Sequence, residues 1–122
     1  LVDYALRRRF AFIAMRPSYS NSKFKKWLGR AAVSVRWIDL IIERMNSLNE
    51  TIANDSANLG PGYCIGHSFF TPPSGEVIQD ARAWYEDCIT FEIVPLLEEY
   101  WVDDPDTVQQ QREMLLNDLP DS

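Results

Sequence analysis

Histidine occurs once in this 122-residue chain, cysteine twice and glycine five times. Each scarcity excludes a class of protein. Two cysteines, Cys64 and Cys88, are too few to staple a small secreted scaffold, so reduced thiols in a cytoplasmic protein are the expectation. With His67 they supply three soft ligands, one short of a closed tetrahedral zinc site. Cys64-x-x-His67 is half a metal motif without its second half, and no bound metal is expected. The glycines form no G-x-x-x-x-G-K-[ST] phosphate loop, so this polypeptide alone cannot cradle the phosphates of a nucleotide. No apolar run approaches the roughly 20 residues of a membrane-spanning helix, which leaves no membrane role. The chain starts at Leu1, with neither an initiating Met nor a basic segment, apolar stretch and cleavage site. It opens already in a helical pattern and reads as a fragment of something longer. Its length admits one compact domain or one lobe.

Acid is nearly missing from the first third. Residues 1–36 carry nine Lys or Arg against the single acid Asp3, whereas residues 37–122 carry three bases against seventeen acids, for a net charge of −6. Such a division suggests that the two ends face different partners. The basic third suits phosphates or an acidic neighbour, and the acidic remainder repels nucleic acid. Charge alone does not choose between them.

What is present is mostly helical pattern. The clearest helix spans about residues 34–54, where Ile38, Ile41, Ile42, Met45, Leu48 and Ile52 recur at intervals of three and four. Burying those side chains contributes roughly 1.5–3 kcal/mol each before conformational entropy is charged against them. Ahead of it, Pro17 stops regular structure, residues 18–22 are rich in capping side chains, and Phe24, Trp27 and Leu28 open a short helix ending at or soon after Gly29. Residues 3–9 read as the end of a helix, and Phe10, Phe12 and Ile13 favour one short strand. Residues 55–62 form a loop, and residues 63–70 show no assignable period. After the break at residues 72–75, a helical pattern runs from Val77 through Ala81, Trp84, Cys88 and Ile89 to Ile93, Leu96, Leu97, Tyr100 and Trp101. Pro95 lies inside it and predicts a kink or a restart. Asp104 as N-cap with Pro105 at the first helical position opens a last helix through about Leu116.

Few residues are candidates for chemistry. Arg7-Arg8-Arg9 offers planar cationic forks that match phosphate oxygens, and equally reads as a solvated helix end where cations suit the macrodipole. His67, between Gly66 and Ser68, is either a hydrogen-bond or proton donor to a ligand or a structural histidine satisfied by backbone. Glu98, Glu99, Asp103, Asp104 and Asp106 read as solubilising caps at a helix junction rather than paired catalytic carboxylates. Trp27, Trp37, Trp84 and Trp101 sit at apolar helix positions, which favours packing over base stacking.

Four phrases, taken together and in order, resemble one family. These are Asp3-Tyr-Ala-Leu-Arg-Arg-Arg-Phe10 with its continuation to Ile13, Ile42-Glu-Arg-Met-Asn-Ser-Leu-Asn49, Tyr63-Cys-Ile-Gly-His-Ser-Phe-Phe70 and Ile93-Val-Pro-Leu-Leu-Glu-Glu-Tyr-Trp101. They are similar to the C-terminal part of the McrB family, AAA+ nucleoside triphosphatases of modified-cytosine restriction systems, over residues 1 to about 104. The resemblance implies a mostly α fold. Residues 1–17 become the C-terminal end of the large AAA+ subdomain, with the arginine-finger helix and the final strand at residues 10–13, and residues 18–122 become the helical lid. Arg8 is then the first choice for a finger reaching the γ-phosphate bound by a neighbouring subunit and Arg9 the second, with Arg7 structural. Such a finger is worth about 10³–10⁵ in rate. Gly66, His67 and Ser68 fall where AAA+ lids carry their second sensor, facing the nucleotide in cis, although many relatives have arginine there.

The resemblance also implies a ring, expected to be a hexamer, an McrC-like nuclease subunit as partner, contact with DNA only through other domains, and GTP or ATP with Mg²⁺ as the nucleotide of the whole protein. Its Walker A and Walker B segments would precede Leu1, so this piece is expected to be inactive alone. The basic edge would face a neighbour's nucleotide. Two rival readings remain: a standalone helical module that binds a protein groove through its aromatic residues, and a nucleic-acid contact through residues 7–36.

Overall fold

The computed structural model describes Tyr19 and residues 21–120. Arg7, Arg8, Arg9, the expected helix end and the strand at residues 10–13 lie outside the described residues. Within them the chain is helical with connecting turns, and no strand occurs.

Helix α1 (Ser22–Arg30) begins at Asn21, whose side-chain oxygen accepts from the Lys23 N–H at 2.7 Å and so satisfies one of the free donors of the first turn. Phe24 and Leu28, four residues apart, are its buried face. The helix ends at Arg30, just past Gly29 as expected. The chain turns at Ala32, which has φ +65°. The Val33 N–H bonds Leu28 O at 3.0 Å and the Ala32 N–H bonds Gly29 O at 3.1 Å, the paired bonds of a Schellman cap. Buried Leu28 and Val33 stand at the two positions whose apolar contact usually completes that motif.

Helix α2 (Val35–Asn54) follows at once. The Ser34 hydroxyl accepts from the Trp37 N–H, and Trp37, Ile38, Ile41, Met45, Leu48 and Ile52 are all buried along one face, with Ile42 partly buried at its margin. This is the central helix, and residues from every other helix pack into the same core.

Residues 55–80 hold only two short 3₁₀ turns, Pro61–Tyr63 and His67–Phe70. The Ile78 N–H donates to Ala31 O at 2.8 Å, which pins the end of this stretch to the α1 cap. Helix α3 (Ala81–Cys88) starts after Asp80, whose carboxylate accepts from the Ala83 N–H at 3.1 Å. Val77, expected inside this helix, lies ahead of it and is exposed. The Ile78 tie and the Asp80 cap set the later start.

Pro95 acts as expected and also widens the helix before it. The backbone passes from α3 through a π turn (Ile89–Ile93), in which the Val94 N–H reaches back five residues to Ile89 O, into α4 (Val94–Tyr100). Proline has no N–H to give Phe91, and its ring would crowd that carbonyl in a regular helix; a wider turn relieves both.

Helix α5 (Pro105–Leu116) is capped by Asp104, which accepts from the Thr107 N–H at 3.2 Å and from its hydroxyl at 2.6 Å. Its last turn leaves carbonyls without helical partners. The Arg44 guanidinium of α2 donates to Met114 O, and the Tyr85 phenol of α3 donates to Leu115 O at 2.7 Å. At the C-terminal end of α2, Trp101 Nε1 donates to Asp55 Oδ2 at 2.6 Å. Among the described residues no helix is long and apolar enough to cross a membrane.

Candidate functional site

The Gly66-His67-Ser68 turn lies on a segment with little regular backbone pairing of its own, so side chains hold it. Asn49, one position past Leu48 on α2, is the buried polar residue of the core. Its Oδ1 accepts from the Ile65 N–H at 2.7 Å and its Nδ2 donates to Ile65 O at 2.9 Å. One amide thereby satisfies both backbone groups of a buried residue, in the manner of a strand neighbour. Each bond contributes about 1 kcal/mol net, and leaving either group bare would cost more.

Tyr19 holds the next peptide. Its phenol shares one proton between Ile65 O at 2.9 Å and Gly66 O at 2.6 Å. Burial raises the pKa of this phenol well above its ordinary value, with the neighbouring Cys64 thiol acting in the same direction, so it remains a donor. The Cys64 thiol donates to Asn49 O at 3.5 Å.

His67 stacks on Phe24 at a centroid distance of 5.0 Å and an interplanar angle of 22°, and meets the edge of Tyr19 at 6.2 Å. The ring is partly exposed, but Nδ1 is buried without a hydrogen-bond partner. The ring is held by packing on Phe24 and Tyr19 and makes no backbone bond through Nδ1. A buried N–H without an acceptor costs more than an idle lone pair, so the neutral ring is assigned its proton at Nε2. Ser68 beside it is exposed. The turn thus presents an imidazole donor and a hydroxyl on a fixed backbone, which is chemistry suited to an anionic oxygen.

The other candidates separate from this site. Glu98, Glu99, Asp103 and Asp106 are exposed and Asp104 is the α5 cap, in keeping with a capping role. No group of three or more His, Cys, Asp or Glu that could hold a metal occurs among the described residues. Trp37 and Trp101 are buried, Trp84 packs edge-on to Phe70 at 6.2 Å, and Trp27 donates through Nε1 to Pro72 O at 2.7 Å. The first three are packing roles, whereas Trp27 is 38% exposed and is held by its hydrogen bond. On α1, Lys23, Lys25, Lys26 and Arg30 are all exposed, so the charge of this helix faces solvent. Sequence pattern missed Tyr19, Phe24 and Asn49 as partners of the His67 turn; an amide beside an apolar stripe was the one signal available for Asn49.

An all-helical core that fixes such a turn at its side is a lid domain: residues 40–109 match the family described as McrB, alpha-helical lid domain. The chain belongs to the McrB family. It is 36% identical over 118 residues to the Type IV methyl-directed restriction enzyme EcoKMcrB subunit of Escherichia coli (strain K12), a match that covers 97% of this chain and 26% of that protein. The chain spans about a quarter of the length of this curated relative.

Proposed function

We propose that this chain is the lid and arginine-finger region of an McrB-like AAA+ nucleoside triphosphatase that drives a DNA restriction complex. Residues 1–17 end the large subdomain and residues 18–122 form the lid. Arg8, with Arg9 as second choice, crosses to the nucleotide of a neighbouring subunit in a hexameric ring. Gly66, His67 and Ser68 meet the nucleotide bound by their own subunit. The full-length cytoplasmic protein takes GTP or ATP with Mg²⁺, couples to an McrC-like nuclease subunit and reaches DNA through other domains. The bound cation neutralises phosphate charge, and this chain contributes a guanidinium in trans and an imidazole in cis.

One observation carries the reading: the 118-residue match to a restriction-enzyme subunit leaves out so little of the chain that it spans both the arginine triplet and the His67 turn. The turn's imidazole N–H and exposed Ser68 hydroxyl support the fit to a phosphate oxygen. In the full-length protein, Arg8→Ala is expected to lower triphosphatase turnover by about 10³-fold or more while nucleotide affinity stays within a few-fold. Turnover close to wild type would remove Arg8 from this role, and the same measurement on Arg9→Ala would test the second choice.

A further inference from the structure

Two buried polar side chains from different parts of the chain converge on one dipeptide. Asn49 of α2 takes both backbone groups of Ile65, and Tyr19, ahead of α1, takes the carbonyls of Ile65 and Gly66. The Gly66 carbonyl belongs to the peptide unit that carries the His67 nitrogen. Because a peptide unit is planar, fixing its oxygen fixes the direction in which the chain enters His67. The bond to this oxygen, 2.6 Å, is the shorter of the two that Tyr19 makes. Phe24, stacked on the imidazole, then fixes the ring itself.

We infer that Tyr19 and Asn49 are positioning residues that set the placement of His67 toward the nucleotide, with Tyr19 tying the sensor turn to the point where the chain enters the lid. This rests on the proposed role of His67. The span supports a specific function for Tyr19: its bonds cross 46 and 47 residues of sequence, and it stands two residues after Pro17, where the large subdomain is proposed to end. A displacement of the lid at that junction therefore reaches the His67 turn directly through Tyr19. Apolar packing would have stabilised the same loop without defining its orientation, since it is non-directional.

The test uses the full-length protein and four variants: Tyr19→Phe, Asn49→Ala, His67→Ala and Tyr85→Phe. Tyr85 is the matched control, since its phenol also makes a buried bond to a carbonyl, Leu115 O at 2.7 Å, but at the end of α5. Turnover, KM and thermal midpoint are measured for each, with affinity for a fluorescent nucleotide analogue. Tyr19→Phe is expected to lower kcat by about 10- to 100-fold with KM nearly unchanged, while Tyr85→Phe shifts the midpoint and spares kcat. Combining Tyr19→Phe with His67→Ala is expected to be no worse than His67→Ala alone. If His67→Ala is impaired but Tyr19→Phe behaves like Tyr85→Phe, the positioning role is wrong and the His67 role stands. If His67→Ala has normal turnover and affinity, the sensor reading fails and takes this inference with it.

Discussion

Asn49→Asp changes one donor into an acceptor and leaves the shape of the core intact. In the native chain Nδ2 donates to Ile65 O at 2.9 Å and Oδ1 accepts from the Ile65 N–H at 2.7 Å. At neutral pH the substitution keeps the second bond and replaces the first with a carboxylate oxygen facing a carbonyl oxygen, in a site where Asn49 is only 7% exposed. A buried charge left without its partner costs about 3–5 kcal/mol. For a domain of about 100 residues this lowers the thermal midpoint by roughly 12 °C or more. Asn49→Ala loses both bonds and strands a buried N–H, for about 2–4 kcal/mol. The two variants separate by pH. Burial and the facing carbonyl raise the folded-state pKa of the introduced carboxyl above its unfolded value. The folded state therefore holds its proton more tightly. The deficit relative to wild type is greatest above the folded pKa and shrinks as pH falls through it, because the neutral acid can donate to Ile65 O in place of the amide. Asn49→Ala has no such dependence. Urea unfolding of wild type and both variants, followed by circular dichroism at about pH 7 and about pH 4, reads the difference. A deficit for Asn49→Asp that is equal at both values would refute the pairing with Ile65.

Ala32→Gly is expected to stabilise the chain by about 0.5 kcal/mol, because relief of the left-handed strain at φ +65° exceeds the entropy that glycine adds to the unfolded state; a lower urea midpoint would contradict the Schellman cap. Burial raises the pKa of the Tyr85 phenol, so unfolded chains ionise before folded ones and stability falls as pH rises above about 10. Tyr85→Phe, at a cost of about 1–2 kcal/mol near neutrality, should reduce that alkaline loss, as read by urea midpoints across the range. The Cys88 thiol is buried, and desolvation first, then Glu92 and Asp87, pushes its pKa up to about 12. Its alkylation near neutral pH should require unfolding, and rapid labelling of the native chain by iodoacetamide, mapped to Cys88 by mass spectrometry, would oppose that.

The helices were legible where their determinants are local. Ser34 opening α2, and Asp104 with Pro105 opening α5, are short-range signals read by neighbouring N–H groups, and the stripe from Ile38 to Ile52 repeats over a single helix. The start of α3 was misread because Val77 fits the helical period but precedes the Asp80 cap. Pro95 announced an interruption, yet whether it would be a kink, a restart or the five-residue bond from Val94 to Ile89 could not be read from the residue alone. The least legible part was the surroundings of His67. Its partners Tyr19 and Phe24 come from elsewhere in the chain, and Asn49 lies 16 residues before Ile65. No periodicity reports such a pairing, and an amide next to Leu48 reads as an ordinary polar flank. Cys64 and His67 looked like half a metal site; the thiol instead donates to the Asn49 carbonyl.

The consequence for the lid lies in how its stiffness is distributed. Backbone repetition makes α2 rigid, whereas residues 55–80 combine short local turns with bonds delivered by other elements. The His67 turn is therefore held to α2 through Asn49, and α2 in turn is tied near Arg44 to the end of α5 and at Asp55 to Trp101. A shift of α5 reaches the turn through α2 and also through Tyr85, which bonds Leu115 O and stacks on Phe70, so the packed core spreads such a load over many contacts. Tyr19 acts more directly: its phenol bonds the peptide before His67 and its ring meets the edge of the imidazole. Substitutions along α5 should therefore act chiefly on stability, whereas loss of the Tyr19 hydroxyl acts on the direction of a single ring. That difference is why two phenols with similar carbonyl bonds, at residues 19 and 85, are expected to part company in turnover while both weaken the fold.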